Sequence, residues 1–202
     1  MSGNAEILHD VKAQTGNTLR CKGWRQETLL RMLENNMFNA EHPERLIIYA
    51  GNGKCARNWE SYHATVKALK ELENDETLLM QSGMPVAVFK THKYAPSVVM
   101  ANTNILRADW PTFYDLEAKN LTIFGAYTAG PWEYIGTQGI MHGGYETLNA
   151  VAIKHYNGSL KNRIFLTAGA GGMGGSQSWA MKMHEGVAII VDVDRKILEK
   201  RV

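Results

Sequence analysis

Apolar positions along the chain change period several times, from the three-and-four spacing of helices to the short runs of strands, and this alternation predicts an α/β fold. After a loose arm of about twenty residues, Trp24 to Asn36 (WRQETLLRMLENN) gathers Leu29, Leu30 and Leu33 on one face among good helix formers, so an amphipathic helix is expected. Arg45 to Gly51 (RLIIYAG) follows His42-Pro43, is short and apolar, and ends on glycine, as suits a buried strand. Asn52-Gly53-Lys54 is expected to turn the chain. Trp59, Tyr62, Val66, Leu69 and Leu72 then recur at helical spacing, which completes a strand-turn-helix unit.

Thr77 to Ser82, Val86 to His92 and Ser97 to Asn102 are rich in β-branched residues and separated by glycine and proline, which predicts three strands arranged as a meander. A short helix is expected from about Thr112 to Lys119. Leu121 to Thr128 (LTIFGAYT) is a further strand candidate, broken by Thr128-Ala129-Gly130-Pro131. From about Ile135 to Tyr156 the pattern is helical, although Gly136, Gly139, Gly143 and Gly144 weaken its first half by up to roughly 1 kcal/mol each. Glycines there are expected to mark close packing.

The clearest unit comes last. Arg163 to Ala168 (RIFLTA) reads as a buried strand, a glycine turn follows, Ser176 to Glu185 reads as a helix, and Val187 to Val193 as a second strand. That is a βαβ unit, with Asp194 placed to cap a further helix from Arg195. One such unit cannot cover both faces of a parallel sheet, so exposed apolar strand surface is expected.

The chain has 202 residues, 45% hydrophobic and 21% charged, with a net charge of +2. It lacks a basic run of the kind that follows a phosphate backbone, so no nucleic acid is expected as partner. No run approaches the roughly 18 apolar residues of a membrane span, and the first residues lack a signal layout, which predicts no membrane association and a cytoplasmic protein. Cys21 and Cys55 lack metal-ligand or CxxC spacing and the seven histidines are scattered, so no metal site is expected.

The glycine turn carries the chemistry. Gly169, Gly171 and Gly174 fit the G-x-G-x-x-G template, with a predicted strand before and a predicted helix after. In that setting Gly169 permits the tight turn, Gly171 lets the backbone approach a pyrophosphate, and Gly174 lets the helix pack on the strand. Backbone N–H groups and the helix dipole favour the diphosphate. Asp192, about twenty residues on, is placed to accept hydrogen bonds from ribose hydroxyls, which favours NAD over NADP. Without a ligand the same residues would form a glycine-rich corner and two surface aspartates. No Gly-Lys-Ser/Thr closes the turn, which excludes a P-loop. A second glycine element, Tyr49 to Lys54, reads either as a tight turn or as an approach to a ligand, and Arg57, Asn58 and Trp59 either orient a substrate or pack.

Several long segments, LRMLENN, IYAGNGKCARNWESY, LENDETLLMQSGMPVAVFKTH, APSVVMANTNI, TAGPWEYIGTQGI and LTAGAGGMGGSQ, resemble the urocanase (urocanate hydratase) family, and the resemblance runs from about Cys21 to Asp194. It implies a mixed α/β core portion over residues 1–133 and, over 134–202, the first βαβ unit of a Rossmann-like NAD-binding domain. The implied reaction adds water to urocanate in histidine degradation, giving imidazolone propionate, with NAD as an electrophile and not a hydride carrier. A homodimer is implied. The family's cofactor contacts fall on Ala50 and Gly51, on Gly172, Met173 and Gly174 beside Gly171 of the template, and on Asp192, where glutamate is usual. Tyr49 adjoins the first contact as a residue near substrate.

Besides the aspartate at 192, this sequence departs from the family at three positions. Ala50 replaces a common glycine, Ala126 a glutamine, and Ile197 an arginine for which Lys196 or Arg195 could substitute. Family members are also longer, which predicts that the proton-transfer groups lie beyond Val202 and that the isolated chain is inactive or very weakly active. Two other functions use the same turn: an oxidoreductase that transfers hydride to NAD, and a non-catalytic remnant that only binds nucleotide or a partner subunit.

Overall fold

A computed structural model describes residues 11–49, 51–101, 109–123 and 126–199. Outside them lie Ala50, the first ten residues of the expected arm, Asn102 at the end of an expected strand, and residues 124–125 of another. The chain divides into two compact units, Met1–Tyr134 and Ile135–Val202.

The first unit is organised by helix α1, Trp24–Phe38. Leu30, Leu33 and Met37 form its fully buried stripe, at the three-and-four spacing that puts side chains on one face. Four polar side chains, Gln26, Glu27, Glu34 and Asn36, are buried on the same helix, and each can be there only with partners. Gln26 Nε2 donates to Leu72 O at 3.1 Å. Asn36 Nδ2 donates to Pro131 O and Trp132 O at 2.8 and 3.0 Å. Glu27 accepts from Arg31 Nε at 2.7 Å and from the backbone N–H groups of Arg20 and Cys21 at 2.8 and 3.0 Å.

A single 3-10 turn, Pro43–Arg45, leads to Leu46 in the left-handed region and then to strand β1, Ile47–Tyr49. Strand β2, Gly53–Lys54, folds back antiparallel on β1, with Ile47 opposite Lys54 and Tyr49 opposite Gly53. The expected strand-turn-helix is thus a strand, a small hairpin and a helix. Backbone pairing explains the difference: Cys55 N–H donates to Leu46 O at 3.1 Å, so the segment read as a turn completes a ladder. Helix α2, Trp59–Glu71, begins where Asn58 Oδ1 accepts from Ser61 N–H at 2.8 Å, and it buries Tyr62, Thr65 and Leu69.

Strands β3 (Glu76–Gln81), β4 (Met84–Lys90) and β5 (Val98–Ala101) form a sheet in the order β4-β3-β5. The expected meander is wrong: β4 is antiparallel to β3, but β5 lies on the other edge of β3 and parallel to it. The geometry makes this inexpensive. β4 ends at Lys90 opposite Glu76 and β5 starts at Val98 opposite Leu78, so residues 91–97 only step across the start of β3, roughly 10 Å. β3 gains two neighbours for its buried Thr77, Leu78 and Met80. Pro85, which cannot donate to a ladder, sits on edge strand β4 beside a break in register. Ser82 and Gly83 join β3 to β4 and both have positive φ, 44° and 76°, as a two-residue type I′ turn requires.

Helix α3, Trp110–Ala118, is capped by Asp109, whose carboxylate accepts from Thr112 N–H at 2.8 Å. Where a strand ending near Thr128 was expected, helix α4 spans Ala126–Glu133 with Pro131 inside it. Tertiary contacts override the local preference. Trp132 is buried and its indole donates to Cys55 O at 2.7 Å, and Asn36 takes up the last helical carbonyls. Trp132→Phe is expected to lower the stability of the first unit by about 2 kcal/mol, because a buried carbonyl loses its donor. A shift in urea midpoint worth less than 0.5 kcal/mol, taken as roughly the effect of an ordinary surface change, contradicts this.

In the second unit, helix α5, Thr137–His155, follows Gly136, and helix α6, Gly175–Met183, connects strands β6 (Ile164–Ala168) and β7 (Val187–Val191). The strands are parallel and in register from Ile164 opposite Val187 to Ala168 opposite Val191. Leu148, Ala152, Leu160, Ala180 and Met181 form the core between helices and sheet. The glycines of α5 are only partly explained by packing: a Cβ on Gly144 would meet Ala180 Cβ at 3.6 Å, whereas Gly143 faces open space. On the other sheet face Ile164, Leu166, Val187, Ile189 and Val191 are exposed, the expected outcome for one βαβ unit. Among the described residues no helix is long and apolar enough to cross a membrane.

Candidate functional site

The glycine turn is built by three constraints. Gly169 leaves β6 with φ +86°, which glycine adopts without strain, and its N–H donates to Val191 O at 2.8 Å. Gly174 meets the carbonyl of Gly169 so closely that a Cβ there would sit 2.8 Å from the carbonyl carbon and nearer still to its oxygen. Gly175 N–H donates to Gly171 O at 2.9 Å, closing the bend into α6, and Ser176 and Gln177 donate to Met173 O and Gly174 O. The template roles expected for Gly169 and Gly174 therefore have direct geometric counterparts.

Between those fixed points the turn is open. A Cβ on Gly171 or Gly172 would meet nothing within 4 Å. Among the described residues none accepts from the N–H groups of Gly171, Gly172, Met173 or Gly174. Four successive amides at or beside the positive end of a helix are donors of the kind that hold an anion. The cradle fits a nucleotide diphosphate on its own geometry, with no side-chain cation needed.

Asp192 stands just past β7. Its Oδ2 accepts from Ala170 N–H at 2.7 Å and its Oδ1 from Asp194 N–H at 2.9 Å. The Ala170 N–H first, then that of Asp194, hold this carboxyl below its usual range, so it is charged at neutral pH. Each oxygen keeps lone-pair capacity for a further donor. This bond to the turn is not legible in the sequence, where nothing pairs position 170 with 192. Arg195 and Lys196 open the short helix α7, Arg195–Glu199, which also carries Ile197. The Arg195 guanidinium is paired with Glu199 at 2.8 Å, and Lys196 N–H donates to Asp194 Oδ1.

The first glycine element is tied differently. Ala50 lies outside the described residues. Gly51 has φ +72°, open space around its Cα, and an N–H that donates to Glu41 Oε2 at 2.9 Å. Tyr49 is buried, its ring stacked on Tyr134 with centroids 4.1 Å apart, and its hydroxyl fills the space a side chain at Gly130 would need. Arg57 serves the fold: its guanidinium donates to Ser82 O and Gln81 O at 2.9 and 3.0 Å. Asn58 caps α2, and the Trp59 indole donates to Glu44 O at 3.3 Å. Arg57 and Asn58 precede α2, which begins at Trp59. Ala126 opens α4.

Neither thiol is poised as a nucleophile. Burial, then the Glu27 charge, pushes Cys21 up to about 11, and burial pushes Cys55 up to about 12.

Residues 11–133 match the family model of the urocanase N-terminal domain, and residues 136–202 match that of the urocanase Rossmann-like domain. The second match covers both strands, the glycine turn and Asp192, and the first covers the unit built on α1. Together they span nearly all of the described residues, and the chain belongs to the urocanase family.

Proposed function

We propose that this chain binds NAD at the turn Gly171 to Gly174 and acts in the hydration of urocanate to imidazolone propionate. The observation that carries the reading is the run of four amides without an acceptor among the described residues, in an open turn beside a strand that is followed by a charged aspartate. The amides of Gly171, Gly172, Met173 and Gly174 would hold the diphosphate, assisted by the dipole of α6. The remaining lone pairs of Asp192 would accept from ribose hydroxyls, and its charge would repel a 2′-phosphate, which selects NAD over NADP. When bound, NAD supplies an oxidised nicotinamide, an electron sink.

At the first glycine element the proposed contact runs through the backbone at Ala50 and Gly51, and Gly51 N–H must leave Glu41 to make it. Tyr49 is proposed as a substrate neighbour whose orientation is fixed by the stack on Tyr134. Family membership extends the reading to histidine degradation by a cytoplasmic homodimer.

Gly171→Ala tests the cofactor assignment. The added methyl meets no protein atom, so the fold is expected to be kept, while a diphosphate approaching the backbone is obstructed. NAD affinity by calorimetry is expected to fall by about tenfold or more, on the order of 1.4 kcal/mol. Equal affinity in both proteins, or tighter binding of NADP than NAD, contradicts the reading. Accumulation of NADH with urocanate would point to hydride transfer instead.

A further inference from the structure

The hydrogen bond from Ala170 to Asp192 gives that carboxylate a second task. We propose that Asp192 is a positioning residue for the glycine turn, so that it supports diphosphate binding through Ala170 as well as ribose binding through its own oxygens. The proposal rests on reading the turn as a nucleotide site.

Among the described residues, three backbone N–H groups of the turn find acceptors. Gly169 N–H donates to Val191 O, Gly175 N–H donates to Gly171 O, and Ala170 N–H donates to Asp192 Oδ2. The first two are backbone pairs that belong to the ends of β6 and α6. Among these three, the Ala170 N–H alone has a side-chain acceptor, at 2.7 Å; within the turn itself Ser176 Oγ also donates to Met173 O at 2.6 Å. A bond to a carboxylate is roughly twice as strong as one between neutral groups. Ala170 is buried, so its N–H has no easy exchange with water if the acceptor is removed.

The carboxylate is itself immobilised. Asp194 N–H holds Oδ1 at 2.9 Å, and Asp194 Oδ1 in turn accepts from Lys196 N–H at 2.9 Å at the start of α7. A chain of three hydrogen bonds therefore runs from the first turn of α7, through the end of β7, to the residue preceding the four free amides. Directing Ala170 N–H toward β7 orients the Gly169–Ala170 peptide plane, the point from which the chain enters the peptides that carry the donors for the diphosphate. A residue that merely met the ribose would have no reason to reach the turn backbone.

A ligand-deletion cycle separates the two tasks. The probes are ADP and 2′,3′-dideoxy-ADP, which has the diphosphate but no ribose hydroxyls. In Asp192→Ala 2′,3′-dideoxy-ADP is expected to bind at least about tenfold more weakly, because the turn has lost this tie, and ADP to lose more still, because the ribose contact goes as well. Weaker binding of ADP alone shows that Asp192 acts only on the ribose and overturns the proposal, as does unchanged binding of both.

Amide hydrogen exchange gives a readout independent of nucleotide. Ala170 and the following residues to Gly175 are expected to exchange at least about tenfold faster in Asp192→Ala, with β6 protection retained. Unchanged exchange in the turn overturns the proposal. Should Asp192→Ala not fold, Asp192→Asn, which keeps the shape and loses the charge, is carried through both measurements with the same criteria. If the wild-type chain binds neither probe, the nucleotide reading falls, and the exchange result still decides whether Asp192 positions the turn.

Discussion

Replacing Gly174 by alanine is expected to abolish nucleotide binding and to unfold the second unit locally, whereas the same change at Gly171 leaves the fold intact. The two glycines lie three positions apart in one turn and differ in what surrounds them. At Gly174 the new methyl would lie 2.8 Å from the carbonyl carbon of Gly169 and closer to its oxygen, and both are backbone atoms that cannot rotate away. The backbone of Gly174 is ordinary right-handed helix, φ −63° and ψ −37°, so the penalty is steric and not conformational. Overpacking against a flexible core costs about 1–3 kcal/mol. Here β6 must separate from α6, and a cost of about 3 kcal/mol or more is expected. The two-unit chain is not expected to unfold in one step, so the measurement is residue-level hydrogen exchange in β6, α6 and β7. Protection retained throughout Gly174→Ala would show that the turn can relax, and that this glycine is not structurally required.

Glu27→Gln is expected to cost the first unit about 3 kcal/mol or more and to remove most of its acid sensitivity. Glu27 has no exposed side-chain surface, and burial by itself would raise its pKa. The bond from Arg31, the N–H groups of Arg20 and Cys21 and the Arg20 charge outweigh burial and hold the carboxyl at about 2, against an ordinary value of 4.5. Because the folded-state value is depressed, this stabilisation is complete above about pH 4.5 and is lost as pH falls toward 2. The shift corresponds to something on the order of 3 kcal/mol. Glutamine keeps the shape but turns one acceptor into a donor among donors, leaving the Arg20 and Arg31 charges without their shared counter-charge. Urea unfolding at pH 7 and pH 3, followed by tryptophan fluorescence, reads both effects. Trp24, Trp59, Trp110 and Trp132 all report on the first unit. A variant as stable as the wild type at pH 7, or one that keeps the full loss between pH 7 and pH 3, contradicts the account.

Periodicity was a reliable guide where one element supplies its own signal. Of Leu29, Leu30 and Leu33, expected on one face of α1, Leu30 and Leu33 are fully buried and Leu29 partly, with Met37 continuing the stripe, and the spacing of Tyr62 and Leu69 reads directly as the buried face of α2. The βαβ unit was legible for the same reason, with the glycine template marking its bend. What failed depended on partners far along the chain. The order β4-β3-β5 follows from which edge of β3 receives Val98 to Ala101, and composition does not distinguish the edges. The helix over Ala126–Glu133 exists where β-forming residues predict a strand, because Trp132 and Asn36 supply tertiary bonds. Within the candidate site, the glycines of the turn could be named from spacing alone. The attachments of Ala170 to Asp192 and of Gly51 to Glu41 could not, since one hydrogen bond between distant residues leaves no periodic trace.

The turn at Ser82-Gly83 bears on the order in which the first unit assembles. Two successive residues with positive φ match the twist of the flanking strands, so β3 and β4 can pair through contacts only a few positions apart. Hairpins of this kind close in about 1–10 μs. The parallel partner β5 must wait until residues 91–97 have crossed the start of β3, a closure of higher sequence separation. The hairpin is therefore the natural early nucleus of this sheet. In kinetic terms, substitutions at Gly83 should slow refolding, whereas substitutions in β5 should chiefly speed unfolding.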